Sequence, residues 1–285
     1  MRIGVTGANG FIGRHLVSAL KQRGRVVTLP RGKGLPGKQD LKQFVKGTDL
    51  FFHLGGVNRG TDEEILNGNI IGTSRLLEAI LNEGRPSVGL VFASSAQTYS
   101  LANCKTPIRE TKKANPDSVY GVSKLNAENL IRISGIPYTT LRLSNVYGPG
   151  CRPNYNSVVA TLCYRAEQGL PLVINGDGRQ GRDFIYIDDV VRAFMLAGFE
   201  SLPGSGKIFN VSSGKLVSIK KIVGQIGRLH KNTQVEFLAD KNNSEISYCC
   251  DPSKFSGKYG WRPKVSLSKG IEQTLSHYRG RKKRG

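Results

Sequence analysis

The stretch Val5-Thr6-Gly7-Ala8-Asn9-Gly10-Phe11-Ile12-Gly13 limits what this chain can fold into more than any other. Arg2 to Thr6, leading into it, reads as a short buried strand, and Phe11 to Arg23 carries apolar residues at helical spacing, Phe11, Ile12, Leu16, Ala19 and Leu20. Gly7 permits a tight turn between them, Gly10 lets a phosphate approach the backbone, and Gly13 lets helix and strand pack closely. Asn9, Phe11 and Ile12 share that turn and the first helical N–H groups, at the positive end of the helix. A glycine turn by itself could be purely structural. A strand before it and a helix after it select the other reading, a dinucleotide pyrophosphate held on the helix N-terminus.

Strand and helix go on alternating. Gly24 closes the first helix, and strands are predicted at Arg25 to Leu29, Asp49 to Leu54, Val88 to Ala93 and Tyr138 to Leu143. Helices are predicted over Asp62 to Asn82, where Thr61 and Glu64 form a capping-box signature, and over Val119 to Ser134. This pattern predicts an α/β protein with a Rossmann-type doubly wound parallel sheet. Beyond about residue 150, Gly, Pro and Asn become denser and the elements shorter. Helices at Ser157 to Gln168, Asp189 to Phe199 and Ile219 to Leu229, with strands at Leu172 to Ile174 and Ile208 to Val211, suggest a smaller C-terminal α/β lobe. The expected division is 1–150 for the dinucleotide and 151–285 for the substrate, with some interleaving of the chain. The substrate then lies between lobes, at the carboxyl ends of the strands.

At 285 residues the chain can bury a large core. Its five cysteines, Cys104, Cys151, Cys163, Cys249 and Cys250, are odd in number and contain no C-x-x-C pair, which argues against a disulfide framework or a thiolate zinc site. His15, His53, His230 and His277 show no ligand spacing, so no metal is expected. There is no signal-peptide pattern and no apolar run of membrane-spanning length, which fits a cytoplasmic protein. The formal net charge is +21, from 42 Lys and Arg against 21 Asp and Glu, and its sign favours anionic partners. The run Arg279-Gly280-Arg281-Lys282-Lys283-Arg284 reads first as a solvated terminus, with nucleic acid or an anionic membrane as the alternative. The remaining excess would steer phosphorylated ligands.

Val119-Tyr120-Gly121-Val122-Ser123-Lys124 places Tyr120 and Lys124 on one helix face, four residues apart. A phenol is a poor acid or base at neutral pH, and an adjacent ammonium favours its ionised form. Ser95, at the end of the fourth strand, is placed to hydrogen-bond the same substrate oxygen. Taken singly, Tyr120 could be packing, Lys124 a surface charge and Ser95 a turn residue.

Together with the glycine turn these residues resemble the extended short-chain dehydrogenase/reductase family, in particular its nucleotide-sugar epimerases, dehydratases and reductases. The resemblance runs through Asp40-Leu41, His53-Leu54-Gly55-Gly56, Asn69 in Asn-Ile-Ile-Gly-Thr, Leu141 to Gly150, Gly176 to Val190 and Gly260-Trp261-Arg262-Pro263. It implies NAD or NADP on Gly7, Asn9, Gly10, Phe11, Ile12, Gly13, Asp40, Leu41, Leu54, Gly55, Gly56 and Asn69, with Tyr120 and Lys124 completing the site. It also implies catalysis by Ser95, Tyr120 and Lys124, a nucleotide-diphospho-sugar, most simply a UDP-sugar, on Ser95, Asn145 and Arg182, and a homodimer. For Arg182 an ordinary ion pair with Asp183 or Asp189 is the alternative, while Asp188 and Asp189 read as helix caps.

The chain departs from the family pattern in places. The second strand ends Thr28-Leu29-Pro30-Arg31, without the acid that grips an adenosine ribose, so Arg31 either meets a 2′-phosphate of NADP or is a bystander. Ser95-Ala96-Gln97 stands where dehydratases resemble Thr-Asp-Glu, which argues against dehydration. Lys241 falls roughly where related epimerases carry a second phosphate-binding arginine. His53 to Arg59 and Cys151 to Ser157 look like the reductase portion of capsule-synthesis enzymes, whereas the Arg182 and Trp261 blocks look like 4-epimerases. The ranking is 4-epimerase, then NADPH-dependent 4-keto reductase, then a noncatalytic dinucleotide- or RNA-binding protein, for which the Ser95, Tyr120 and Lys124 set would have no use.

Overall fold

The computed structural model describes residues 1–30, 35–84, 88–101, 107–155, 157–200, 206–231, 233–239 and 247–279. Arg31, Cys104, Lys241 and the basic run after Arg279 lie outside the described residues. The chain runs β1 (Arg2–Thr6), α1 (Phe11–Leu20), β2 (Arg25–Thr28), α2 (Lys38–Val45), β3 (Leu50–His53), α3 (Asp62–Leu66), α4 (Gly72–Glu83), β4 (Gly89–Ser95), α5 (Val119–Ile133) and β5 (Tyr138–Leu143). It continues through β6 (Asn145–Tyr147), α6 (Val158–Glu167), β7 (Leu172–Asn175), β8 (Gly181–Tyr186), α7 (Ile187–Phe199), β9 (Lys207–Val211), β10 (Leu216–Ser218), α8 (Ile219–Leu229), β11 (Val235–Leu238), α9 (Ser253–Tyr259) and α10 (Leu267–Arg279).

Strands β2, β1, β3, β4, β5 and β9 pair in that order, every neighbour parallel. A parallel sheet needs helices on both faces, and its central strands are therefore buried along their length. Strand alternation divides the core: Phe52 faces Phe194 of α7, and its neighbour Phe51 faces Phe44 of α2. One face is filled by Leu16 and Leu20 of α1 and by α7, the other by Leu76, Leu77 and Ile80 of α4 and Ala127 and Ile131 of α5. From β1 the chain steps to β2 on one side and then crosses to β3 on the other. That reversal opens a crevice at the carboxyl ends of β1 and β3.

Two small sheets, β10-β8-β6 and β11-β7, with α6, α8 and α10, make the second layer. The strand expected there at Ile208 to Val211 instead pairs with β5 as the sixth strand of the main sheet, because Phe209 and Val211 complete the same apolar face as α7. Helices α2 and α10 had no sequence expectation. Arg279, read as part of the solvated tail, ends α10, and its guanidinium holds both carboxylate oxygens of Glu167 at 3.2 and 3.0 Å.

Candidate active site

A cavity of about 1090 Å³ opens at the crevice between β1 and β3. Thr6, Gly7, Ala8, Asn9 and Gly10 form its floor, Gly55 and Gly56 one wall, and Leu29, Pro30, Leu35, Pro36, Leu41 and Leu76 an apolar end suited to a flat base. Gly7 has φ +67°, and a Cβ there would lie 2.7 Å from the Gly55 nitrogen. At Gly13 a Cβ would lie 2.1 Å from the Gly7 carbonyl oxygen. These glycines are therefore demanded by packing. Gly10 caps α1 with no side chain, and no acid occupies the first turn, so the N–H groups of Phe11, Ile12 and Gly13 are available to an anion. These residues fit a dinucleotide pyrophosphate.

Other residues expected around the cofactor fall in different places. Asp40 is exposed on the first turn of α2 and does not line the cavity, whereas Leu41 does. Leu54 packs against the core beside the turn. Asn69 is buried behind the wall, where its side chain accepts from Val57 N–H at 2.9 Å and donates to Val57 C=O at 2.7 Å and to Ser123 Oγ at 2.8 Å. Arg59 and Arg75 line the cavity and carried no sequence signal of their own.

A directional chain of hydrogen bonds ties this turn to α5. Thr6 Oγ1 accepts from Gly55 N–H and donates to His53 Nδ1 at 2.6 Å. His53 Nε2–H then donates to Thr73 Oγ1, which donates to the Asn69 carbonyl. His53 is neutral, its pKa pushed down to about 3 by burial and by the nearby Lys124 ammonium. From Asn69 the chain passes to Ser123, whose hydroxyl donates to the Tyr120 carbonyl at 2.8 Å.

On α5, capped by Ser118, Tyr120 and Lys124 are brought to one face beside the end of β4. Burial pushes the Tyr120 phenol up to about 12, the Ser95 hydroxyl hydrogen-bonded to it pulls the other way, and nearby Tyr155 adds to the rise. Burial dominates this shift, and the expected lowering by Lys124 does not figure in it. The ammonium lies 4.5 Å from the centre of the Phe92 ring, and burial lowers its pKa to about 8 despite the carboxylate of Glu128. Tyr155 had not been singled out. It follows Asn154, which has φ 55°, and Arg152 stacks on its ring at 5.4 Å.

Ser95 stands opposite Leu143 in the β4–β5 register, and two residues further along the chain Asn145 begins β6 of the three-stranded sheet. The Asn145 side chain donates to the Asp183 carbonyl at 2.9 Å and to the Tyr248 hydroxyl at 3.0 Å, and the Arg182 guanidinium lies 5.9 Å from the centre of the Tyr248 ring. Sequence reasoning paired Asn145 with Arg182 and missed Tyr248, which lies in no motif. Both acids offered as partners for Arg182 are engaged elsewhere. Asp183 accepts from Ser144, from the N–H and hydroxyl of Ser213, and from the N–H groups of Gly214 and Cys250. Asp189 takes Arg192 and the N–H groups of Lys264 and Val265, so it ties down the segment after Trp261 where a helix cap was expected. Burial lowers the Arg182 pKa. Arg182 has no acid partner among the described residues, and its guanidinium fork has the geometry to take one.

Among the described residues no helix is long and apolar enough to cross a membrane, and no group of three or more His, Cys, Asp or Glu side chains is placed to hold a metal.

A model of the NAD dependent epimerase/dehydratase family matches residues 3–212. The chain is 38% identical over 200 residues to UDP-2-acetamido-2,6-beta-L-arabino-hexul-4-ose reductase of Pseudomonas aeruginosa, a match covering 68% of this chain and 49%, about half, of that relative. It is 30% identical to UDP-glucose 4-epimerase of Mycolicibacterium smegmatis, with 99% of each chain covered. Among solved structures, UDP-glucose 4-epimerase of Thermotoga maritima with UDP-glucose superposes with a TM-score of 0.89 at 29% identity, covering 99% of both chains. UDP-glucuronic acid 4-epimerase of Bacillus cereus, in complex with UDP-glucuronic acid and NAD, gives 0.88 at 28%, covering 98% of this chain and 99% of that one.

Proposed function

The chain belongs to the NAD dependent epimerase/dehydratase family of NAD(P)-dependent enzymes, and from that premise we propose that it is a UDP-sugar 4-epimerase acting by hydride transfer at sugar C4. The observation that carries this reading is Arg182, which has no acid partner among the described residues and lies against Tyr248, itself bonded to Asn145, two residues along the chain from the register partner of Ser95. Its guanidinium supplies a receptor for a substrate anion. The dinucleotide, when bound, supplies the hydride acceptor and donor. Tyr120 takes the proton of the C4 hydroxyl and returns it to the ketone, the Ser95 hydroxyl hydrogen-bonded to the phenol favours its ionised form, and Lys124 stands one turn along the same helix face. Arg182 and Asn145 grip the diphosphate, which both epimers share, so that the keto-sugar can present its other face.

A second reading, an NADPH-dependent 4-keto UDP-sugar reductase, is favoured by the Pseudomonas relative. The absence of an acid in Thr28-Leu29-Pro30 points the same way. The test is incubation with UDP-glucose, UDP-galactose and their N-acetyl and uronate counterparts, with and without NADPH. The epimerase gives a C4-epimer mixture with no net cofactor consumption, and Tyr120→Phe lowers the rate by about 10² to 10⁴ with dinucleotide binding retained. Stoichiometric NADPH oxidation by a 4-keto UDP-sugar, with no epimerisation of any sugar tried, overturns the reading in favour of the reductase.

A further inference from the structure

The neighbouring strands β1 and β3 end on Thr6 and His53, which stand opposite each other in the register. His53 is 3% exposed, and its ring centre lies 5.3 Å from that of Phe92 on β4. An apolar side chain would fill that place without the cost of burying an imidazole, which is tolerated where both ring nitrogens are hydrogen-bonded. Both are. Nδ1 lies 2.6 Å from Thr6 Oγ1 and Nε2 2.9 Å from Thr73 Oγ1 of α4, so one ring spans the gap between a strand and a helix. The two ends fix the direction of the chain. A backbone N–H can only donate, and that of Gly55 donates to Thr6 Oγ1 at 2.9 Å. A carbonyl can only accept, and that of Asn69 takes the Thr73 hydroxyl hydrogen at an O···O distance of 2.6 Å. The proton of the neutral ring is therefore on Nε2, and Nδ1 accepts from Thr6.

We propose that His53 is a positioning residue for the dinucleotide: its ring locks the Gly55-Gly56 wall of the cavity to β1 and to the start of α4, where that wall meets Lys124. Thr6, His53, Gly55 and Gly56 all line the cavity. Both wall residues are glycine and have no side chain to pack, so the wall is placed by what bonds its backbone. Gly55 N–H goes to Thr6, which His53 holds directly. Just beyond the wall, Val57 N–H goes to the Asn69 side chain at 2.9 Å, and the Asn69 backbone is held by His53 through Thr73. One imidazole thus ties down both ends of the segment. A Cβ at Gly56 would lie 2.3 Å from Asn69 Oδ1 and 3.8 Å from Lys124 Nζ, so the wall stands close against both. A wall released from this relay must be ordered again when a dinucleotide binds, and that ordering lowers affinity. Arg182 and Tyr248 are held through other residues, so the binding of UDP is independent of the relay. The proposal rests on the reading of the cavity as the dinucleotide site and not on which reaction follows.

The test compares the full chain with His53→Phe, which keeps a ring against Phe92 and removes both hydrogen bonds, and with Thr73→Val and Thr73→Ser, which remove and retain the hydroxyl at the far end. Calorimetric titration is expected to show NAD and NADP bound about 10-fold more weakly by His53→Phe and by a smaller factor in Thr73→Val. Thr73→Ser should bind them as wild type does, and UDP affinity should stay within about twofold of wild type in every variant. General damage to the fold would weaken both ligands together. The state of the ring is read by NMR of histidine labelled at the ring nitrogens, with the His53 signals assigned by their loss in His53→Phe. A neutral ring protonated on Nε2 is expected at neutral pH. If His53→Phe does not fold, Thr73→Val against Thr73→Ser decides. Dinucleotide affinity unchanged in the folded variants, UDP affinity falling in step with it, or a His53 ring that is charged or protonated on Nδ1 overturns the proposal. A wild-type chain that binds neither NAD nor NADP overturns the reading of the cavity and the proposal with it. A wild-type chain that binds a dinucleotide but not UDP overturns the functional reading alone, and rescue by Thr73→Ser then separates positioning from damage.

Discussion

Arg182 is the residue at which structural and functional roles separate most cleanly. An ion-paired arginine, once removed, leaves an uncompensated carboxylate and costs about 3–5 kcal/mol. Among the described residues Arg182 donates only to the Gly181 carbonyl, at 3.0 Å, while Asp183 and Asp189 are satisfied by other groups. Arg182→Met is therefore expected to leave the melting temperature of the ligand-free protein unchanged or slightly raised. The same substitution should weaken UDP binding about 10- to 100-fold, the equivalent of one charge-assisted contact to phosphate, with NAD affinity unaffected. Calorimetric titration of UDP and NAD against both proteins checks this. A large loss of stability with UDP affinity intact would show the arginine to be structural.

The helix between β3 and β4 shows what is legible at the level of elements and what is not. The capping box at Thr61 and Glu64 forms as its spacing indicates, with the Glu64 side chain accepting from Thr61 N–H at 2.8 Å. The continuous helix expected from Asp62 to Asn82 is instead interrupted by one π turn over Asn67–Ile71. Hydrophobic periodicity is blind to it, because its cause is tertiary: Asn69 must turn inward to meet Val57 and Ser123. Likewise β1, α5 and β5 were readable from local pattern, while Tyr248, Glu128 and the pairing of β9 with β5 depend on partners far along the chain. Asn69→Ala should remove three hydrogen bonds and leave Val57 N–H and C=O without them, a loss of about 2–4 kcal/mol. Urea unfolding should register that loss. Tyr120 turnover should fall as well, since Ser123 carries the bond onward to α5. A variant within about 0.5 kcal/mol of wild type would mean that water replaces the amide at no cost.

For the molecule as a whole the net charge of +21 is the property that no single site accounts for. Both proposed ligands are polyanions, and a positive field raises their encounter rate without altering the chemical step. Screening separates the two effects: the Debye length is about 10 Å at 0.1 M salt and about 3 Å at 1 M. Raising NaCl from about 0.05 to about 0.5 M is expected to slow association of UDP-sugar about tenfold in stopped-flow measurements, with kcat nearly constant. Which charges steer is a second question. Arg279 is tied to Glu167 in α10, so a tail deletion should begin at Gly280 and remove Arg281, Lys282, Lys283 and Arg284. Arg59 and Arg75 at the cavity, with Arg182, are close to where the ligands arrive, and the field of a charge falls off within a Debye length. The deletion is therefore expected to preserve both kcat and most of the salt dependence. A salt dependence that vanishes with residues 280–285 would instead assign the steering to the tail.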